Sequence, residues 1–139
     1  MPRYLLDTNV VSDLIHQPAG HVAAAISRLS PSERESLCTS VMVAAELRFG
    51  VEKSGSARLA ARVEAILETL QVLPLEPGAD RFYGRLRAEL ERRGTPIGAN
   101  DMLIAAHALA ADCVLVTGNE REFRRISGLS VQNWLRSRP

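Results

Sequence analysis

Lysine is almost absent from this chain: Lys53 is the only one among the 17 lysines and arginines in 139 residues. Aromatic residues are scarce at 4%, which argues against a surface that holds nucleic acid by stacking successive bases. An excess of one charge is also missing. The 17 basic and 16 acidic residues leave a net charge of +1, so no global field announces a polyanionic partner. The two cysteines, Cys38 and Cys113, stand in apolar stretches with no CxxC or Cys/His cluster. Buried free thiols are expected there, and a structural zinc is not. No apolar run approaches the length of a membrane span, and Asp7 interrupts the apolar N-terminus before it can read as a secretion signal. A cytoplasmic location is expected. With no linker, repeat or low-complexity stretch, residues 1–139 are expected to form one domain.

What is present is an ordinary globular composition, 46% hydrophobic and 24% charged, arranged as strands alternating with helices. Arg3–Leu6 predicts a short strand, followed by Asp7-Thr8-Asn9 and one or two helical turns. Val22, Ile26 and Leu29 recur at helical spacing, with Ser30-Pro31-Ser32 predicted to end that helix. Ser36–Thr39 predicts a buried strand, after which Ser40 can cap a helix over Val41 to Lys53. Leu59, Val63, Ile66, Leu67 and Leu70 predict the next helix. Val72–Leu75 reads as an edge strand because of Pro74. Ala79 to Leu90 predicts an amphipathic helix with Arg81, Arg85, Glu89 and Arg92 outward. Met102–Ala111, apolar except for His107, predicts a buried helix. Val114–Thr117 and Leu129–Gln132 read as further strands. The alternation implies a mostly parallel sheet with helices on both faces, a three-layer α/β/α fold.

Four polar positions stand where chemistry is plausible. Asp7 and Asn119 each follow a predicted buried strand, and ligands collect at the carboxyl ends of the strands of open α/β sheets. Glu46 lies on a helix whose positions three and four away are Met42, Val43, Phe49 and Gly50, none of them charged. Its carboxylate therefore needs either a basic partner from another element or some other satisfaction. Asp101 falls in the first turn of the apolar helix. Each has a bland alternative: a helix cap for Asp7, the helix dipole for Asp101, a common turn for Asn119, a solvated helix position for nearby Glu122. Taken together, the two strand ends and two helices can converge at one sheet edge. Carboxylates brought together repel, and a divalent cation relieves them. Oxygen-only ligands suit Mg²⁺ or Mn²⁺ rather than Zn²⁺.

Five stretches, in order and at regular spacing, resemble one known family. They are Leu6-Asp7-Thr8-Asn9-Val10-Val11-Ser12, Val43 to Gly50, Ala99 to Ala108, Leu115 to Phe123, and Ile126 to Trp134. The set is similar to the PIN-domain ribonucleases, in particular the VapC-type toxins of VapBC toxin–antitoxin pairs. The resemblance implies a compact parallel-sheet α/β/α fold and Mg²⁺- or Mn²⁺-dependent endonucleolytic cleavage of RNA. It implies Asp7 and Asp101 as main metal ligands and Glu46 as a further acidic ligand or water-positioning group. Asn119 would join these three as a catalytic residue, Thr117 and Glu122 would support them, and Asn9 would brace the turn. The chain departs from PIN domains that carry Asp at the fourth acidic position, because Asn119 is neutral. The resemblance also implies a homodimer and a small cognate antitoxin. RNA phosphates would be met by Arg121, Arg124 and Arg125 beside the site, with Arg81, Arg85, Arg92 and Arg93 as further candidates.

Two other readings compete. An aspartyl phosphotransferase would use Asp7 as nucleophile, but that chemistry wants a second acid two residues on and a nearby lysine, where this chain has Asn9 and Lys53 alone. A non-catalytic RNA- or protein-binding domain of the same fold would have no use for clustered carboxylates in an apolar setting.

Overall fold

The computed structural model describes residues 2–136. The chain runs β1 (Arg3–Leu6), α1 (Thr8–His16), α2 (His21–Ser27), α3 (Pro31–Glu35), β2 (Cys38–Ser40), α4 (Val41–Ser54), α5 (Ala57–Thr69), β3 (Gln71–Leu73), α6 (Ala79–Arg92), α7 (Ala99–Ala110), β4 (Cys113–Val116), α8 (Glu120–Phe123) and β5 (Val131–Gln132). The strands form one five-stranded sheet in the order β3-β2-β1-β4-β5, and every pairing is parallel. β1 is the middle strand. Its Tyr4, Leu5 and Leu6 are buried, as expected of a parallel strand covered on both faces. Burying Leu5 and Leu6 completely stabilises the fold by roughly 1.5–3 kcal/mol each.

The helices bury one face each where their apolar residues recur. α5 buries Val63 and Leu67, and α6 buries Ala79, Leu86 and Leu90. α7 is buried nearly all round, through Met102, Ile104, Ala105, Ala106, His107 and Ala108. His107 is held by hydrogen bonds rather than left to solvent. Its Nδ1 lies 2.7 Å from the Ser40 hydroxyl, and its ring also bonds the Pro74 carbonyl. Burial pushes its pKa below the ordinary histidine value, so the ring is neutral. Cys38 and Cys113 are buried free thiols with sulfurs 3.9 Å apart. Among the described residues no helix is long and apolar enough to cross a membrane.

Three expectations need correcting. β3 is an edge strand as expected, but it spans Gln71–Leu73 and ends before Pro74. The stretch Ser30-Pro31-Ser32 does more than end a helix, because it starts α3. The Ser30 hydroxyl accepts from the Glu33 N–H while the Glu33 carboxylate accepts from the Ser30 N–H, and Pro31 sits at the first helical position, where its missing N–H is harmless. The last strand is also shorter than expected, Val131–Gln132 only.

Candidate metal centre

The sheet order fixes where the acids meet. From β1 the chain builds outward through β2 to β3, then returns to place β4 on the other side of β1. The crevice over the carboxyl ends of β1 and β4 is the point where the order reverses, the usual place for a ligand in such a sheet. β1 and β4 pair in register from Arg3↔Cys113 to Leu6↔Val116, so the next residues, Asp7 and Thr117, stand side by side. The Asp7 N–H continues the ladder to the Val116 carbonyl at 2.9 Å. On the other flank Leu6 pairs with Thr39, which brings the start of α4 beside Asp7. Ser40 caps that helix by accepting from the Met42 N–H at 3.0 Å, and α4 then carries Glu46 toward the crevice.

Asp7 is 3% exposed. Its Oδ1 accepts from the Thr8 N–H at 2.8 Å and its Oδ2 from the Thr117 hydroxyl at 2.8 Å. Burial raises its pKa, and these two bonds offset only part of the rise. Asp7 is thus the cap of α1 as well as a buried acid at the end of β1. Asp101 lies in the first turn of α7, whose cap is Gly98 without any side-chain bond. Burial raises its pKa, with the charges of Asp7 and then Glu122 adding to the effect. Glu46 is raised by burial, then by Asp7 and Asp101, against a small lowering from the Thr8 hydroxyl. Asp7, Glu46 and Asp101 thus oppose one another's charge, and Glu122 adds to the charge around Asp101.

Glu46 finds no basic partner. Arg48, two residues on, is spent on Glu64. Its helix neighbour Phe49 is 68% exposed, so the face of α4 bearing Glu46 is an edge rather than the deep apolar surface that the sequence suggested. Glu46 Oε1 is nonetheless shut off from solvent and lacks a hydrogen-bond partner among the described residues, and so is Thr8 Oγ1. Thr8 is the residue that sequence reasoning passed over, since a threonine after an aspartate reads as part of a cap.

The supporting residues also gather here. Asn119 donates from Nδ2 to Glu122 Oε2 at 2.9 Å, and its N–H donates to Thr117 Oγ1 at 3.0 Å. Asn9 Oδ1 accepts from the Gly118 N–H at 2.9 Å, tying the turn after β4 to α1. A Cβ at Gly118 would lie 2.4 Å from Leu135 Cδ1, so a larger residue there would have to displace the end of the Leu135 side chain. The arginines divide. Arg124 pairs with Glu120 at 3.2 Å, and Arg125 reaches the Pro96 carbonyl at 3.5 Å. Arg93 is tied to Glu89 and to the Arg125 carbonyl, and Arg85 lies over the Phe82 ring. Arg121, exposed in the first turn of α8, has no ion pair among the described residues.

Whether these residues suit a divalent cation can be tested on the site itself. Among the described residues no group of three or more His, Cys, Asp or Glu side chains is placed to hold a metal ion as it stands. The donors are all oxygen, the acids repel one another, and one buried carboxylate oxygen is unsatisfied. That combination fits a hard cation that keeps several waters and takes only a few protein ligands.

The PIN domain family profile matches residues 4–129. Ribonuclease VapC2 of Rickettsia felis is 36% identical over 132 residues, spanning 94% of this chain and 97% of that protein. The tRNA(fMet)-specific endonuclease VapC of Salmonella typhimurium is 38% identical over 135 residues, 96% of this chain and 99% of that protein. Among solved structures, VapBC2 from Rickettsia felis bound to a DNA fragment from its promoter superposes with a TM-score of 0.87 at 35% identity. That match covers 94% of this chain and 98% of the other.

Proposed function

The chain belongs to the PIN-domain family, and from that premise we propose that it is the toxin of a type II toxin–antitoxin pair, an endoribonuclease that hydrolyses RNA phosphodiester bonds at the Asp7–Glu46–Asp101 cluster. The observation that carries the reading is the gathering of these mutually repelling acids at the reversal point of the sheet, with Glu46 Oε1 unsatisfied. The relatives named as ribonucleases, and the toxin–antitoxin complexes among the solved structures, support it. One domain spanning the chain carries the activity, and a small antitoxin protein is its partner.

Asp7, Asp101 and Glu46 would hold the cation, Mg²⁺ or Mn²⁺. When bound, such an ion activates a water and stabilises the leaving oxygen of a phosphodiester. The chain's own residues set the conditions. The Thr117 hydroxyl and the Thr8 N–H fix the Asp7 carboxylate in one orientation and favour its charged form. Asn119 holds Glu122 by a direct bond and so fixes this fourth acid, whose charge bears on Asp101. Asn9 pins the Gly118 turn, which fixes Thr117 and Asn119 relative to Asp7. Arg121 is free to meet a phosphate, whereas Arg124 and Arg125 are already engaged and contribute mainly to the shape of the α8 region.

The test is incubation of partner-free chain with a transfer RNA pool, including the initiator species that some relatives are named for, followed by mapping of the cut ends. Discrete cuts in Mn²⁺ or Mg²⁺ that vanish with chelator are expected. Cutting that persists in chelator would overturn the metal-dependent reading.

A further inference from the structure

Thr8 puts its two polar groups to different uses. Its N–H donates to Asp7 Oδ1 at 2.8 Å. The capping role that a threonine at the head of a helix could fill is already taken, because Asp7 caps α1. The hydroxyl therefore has no local duty, and Oγ1 is closed off from solvent without a hydrogen-bond partner among the described residues. The same holds for Glu46 Oε1. Unsatisfied buried polar atoms are rare and costly, and each calls for a reason. Here the two orphans belong to neighbouring groups, a donor and an acceptor: the Thr8 hydroxyl is the one group that favours the charged form of Glu46, against burial, Asp7 and Asp101. As a β-branched residue in a helix, Thr8 has few χ1 rotamers, so its hydroxyl oxygen is confined while the proton can turn toward an acceptor.

We propose that Thr8 is a positioning residue for Glu46. In the working site its hydroxyl donates to Glu46 Oε1 and keeps that carboxylate turned toward Asp7 and Asp101, so that the three acids present one face to a divalent cation. The proposal rests on the metal-nuclease reading and adds a residue to it. A purely structural role makes the opposite forecast. If Thr8 only filled space, Thr8→Val would remove an unpaired buried hydroxyl at nearly constant volume, and the fold and metal affinity would be unchanged or improved.

The experiment is calorimetric titration of Mn²⁺ into wild type, Thr8→Val, Thr8→Ser and Thr8→Ala, repeated in a Glu46→Gln background, with kcat and KM for RNA measured on the same proteins. Thr8→Val is expected to weaken Mn²⁺ binding on the order of tenfold, as loss of a group that orients a metal ligand commonly does, and to lower kcat more than it raises KM. Thr8→Ser is expected to restore most of both. Thr8→Val is expected to add nothing once Glu46 is Gln. Should Thr8→Val fold poorly, Thr8→Ala against Thr8→Ser makes the same comparison. Wild-type Mn²⁺ affinity in Thr8→Val, failure of Thr8→Ser to restore it, or an equal loss in the Glu46→Gln background would each overturn the proposal. Wild type that neither binds Mn²⁺ nor cuts RNA would bring down the nuclease reading, and this proposal with it. That outcome is distinct from a working wild type matched by Thr8→Val.

Discussion

The two oxygens of Asp7 divide their labour, Oδ1 to the start of α1 and Oδ2 to Thr117 at the end of β4. Replacing Thr117 with Val leaves a buried carboxylate with one donor fewer. Mn²⁺ affinity and cleavage should fall on the order of 10- to 100-fold while circular dichroism is unchanged, which calorimetry alongside a cleavage assay would check. Asp101→Asn should remove the ligand and the repulsion together. The metal-free variant should melt a few degrees above wild type, since roughly 1 kcal/mol corresponds to about 4 °C in a chain of this size. The pH dependence follows from the signs. Asp7, Glu46 and Asp101 all have folded-state pKa values raised from the ordinary carboxylate range. The stability that they lend the metal-free fold is full below that range and is lost as pH rises through the raised values. Cation binding needs the charged forms, so the rise in Tm produced by Mn²⁺ should shrink as pH falls toward that range, as thermal melts at a series of pH values would show. At this scale Glu46 stood out for its uncharged helix neighbours, Asp7 for following a buried strand and Asp101 for opening an apolar helix. Thr8 did not, since its orphan hydroxyl exists only because Glu46 arrives from another element.

Elements are placed by a few buried polar contacts as well as by apolar stripes. Ser40, fully buried, accepts from the Met42 N–H to start α4 and bonds His107 of α7. Ser40→Ala should therefore cost about 1–3 kcal/mol, measured by denaturant unfolding, because a cap and a buried partner go together. His107 is held neutral below its ordinary value of 6.5. Its contribution is present above that value and is lost as pH falls from there through the lowered folded value, because the unfolded chain binds the proton first. Helices α4 to α7 were legible from their periodicity and from Ser40 at the start of α4. α3 was not, because Pro31 flanked by serines reads as a break until the Ser30–Glu33 capping box is noticed. The apolar stretch around Val114 predicted β4 but not its register against β1, which is what sets Asp7 beside Thr117.

For the whole molecule, a net charge of +1 means that RNA affinity must come from local groups rather than from a global field. With Arg124 and Arg125 engaged, Arg121 is the free cation beside the cluster among the arginines considered for this role. Arg121→Ala should raise KM for RNA and lower the slope of log affinity against log salt by about one, with Arg124→Ala changing both less. The sheet order could not be read from the sequence, since strands β1 and β4 are separated by most of the chain. That order is nonetheless what gathers Asp7, Glu46 and Asp101 at one edge. The most direct test of the account is single-turnover cleavage of one end-labelled RNA in saturating Mn²⁺ by wild type and by Asp101→Asn, both freed of any partner. A rate at least a thousandfold lower (about 4 kcal/mol in barrier) in a variant that still folds is the predicted result. Equal rates would mean that the acidic cluster is not where RNA is cut.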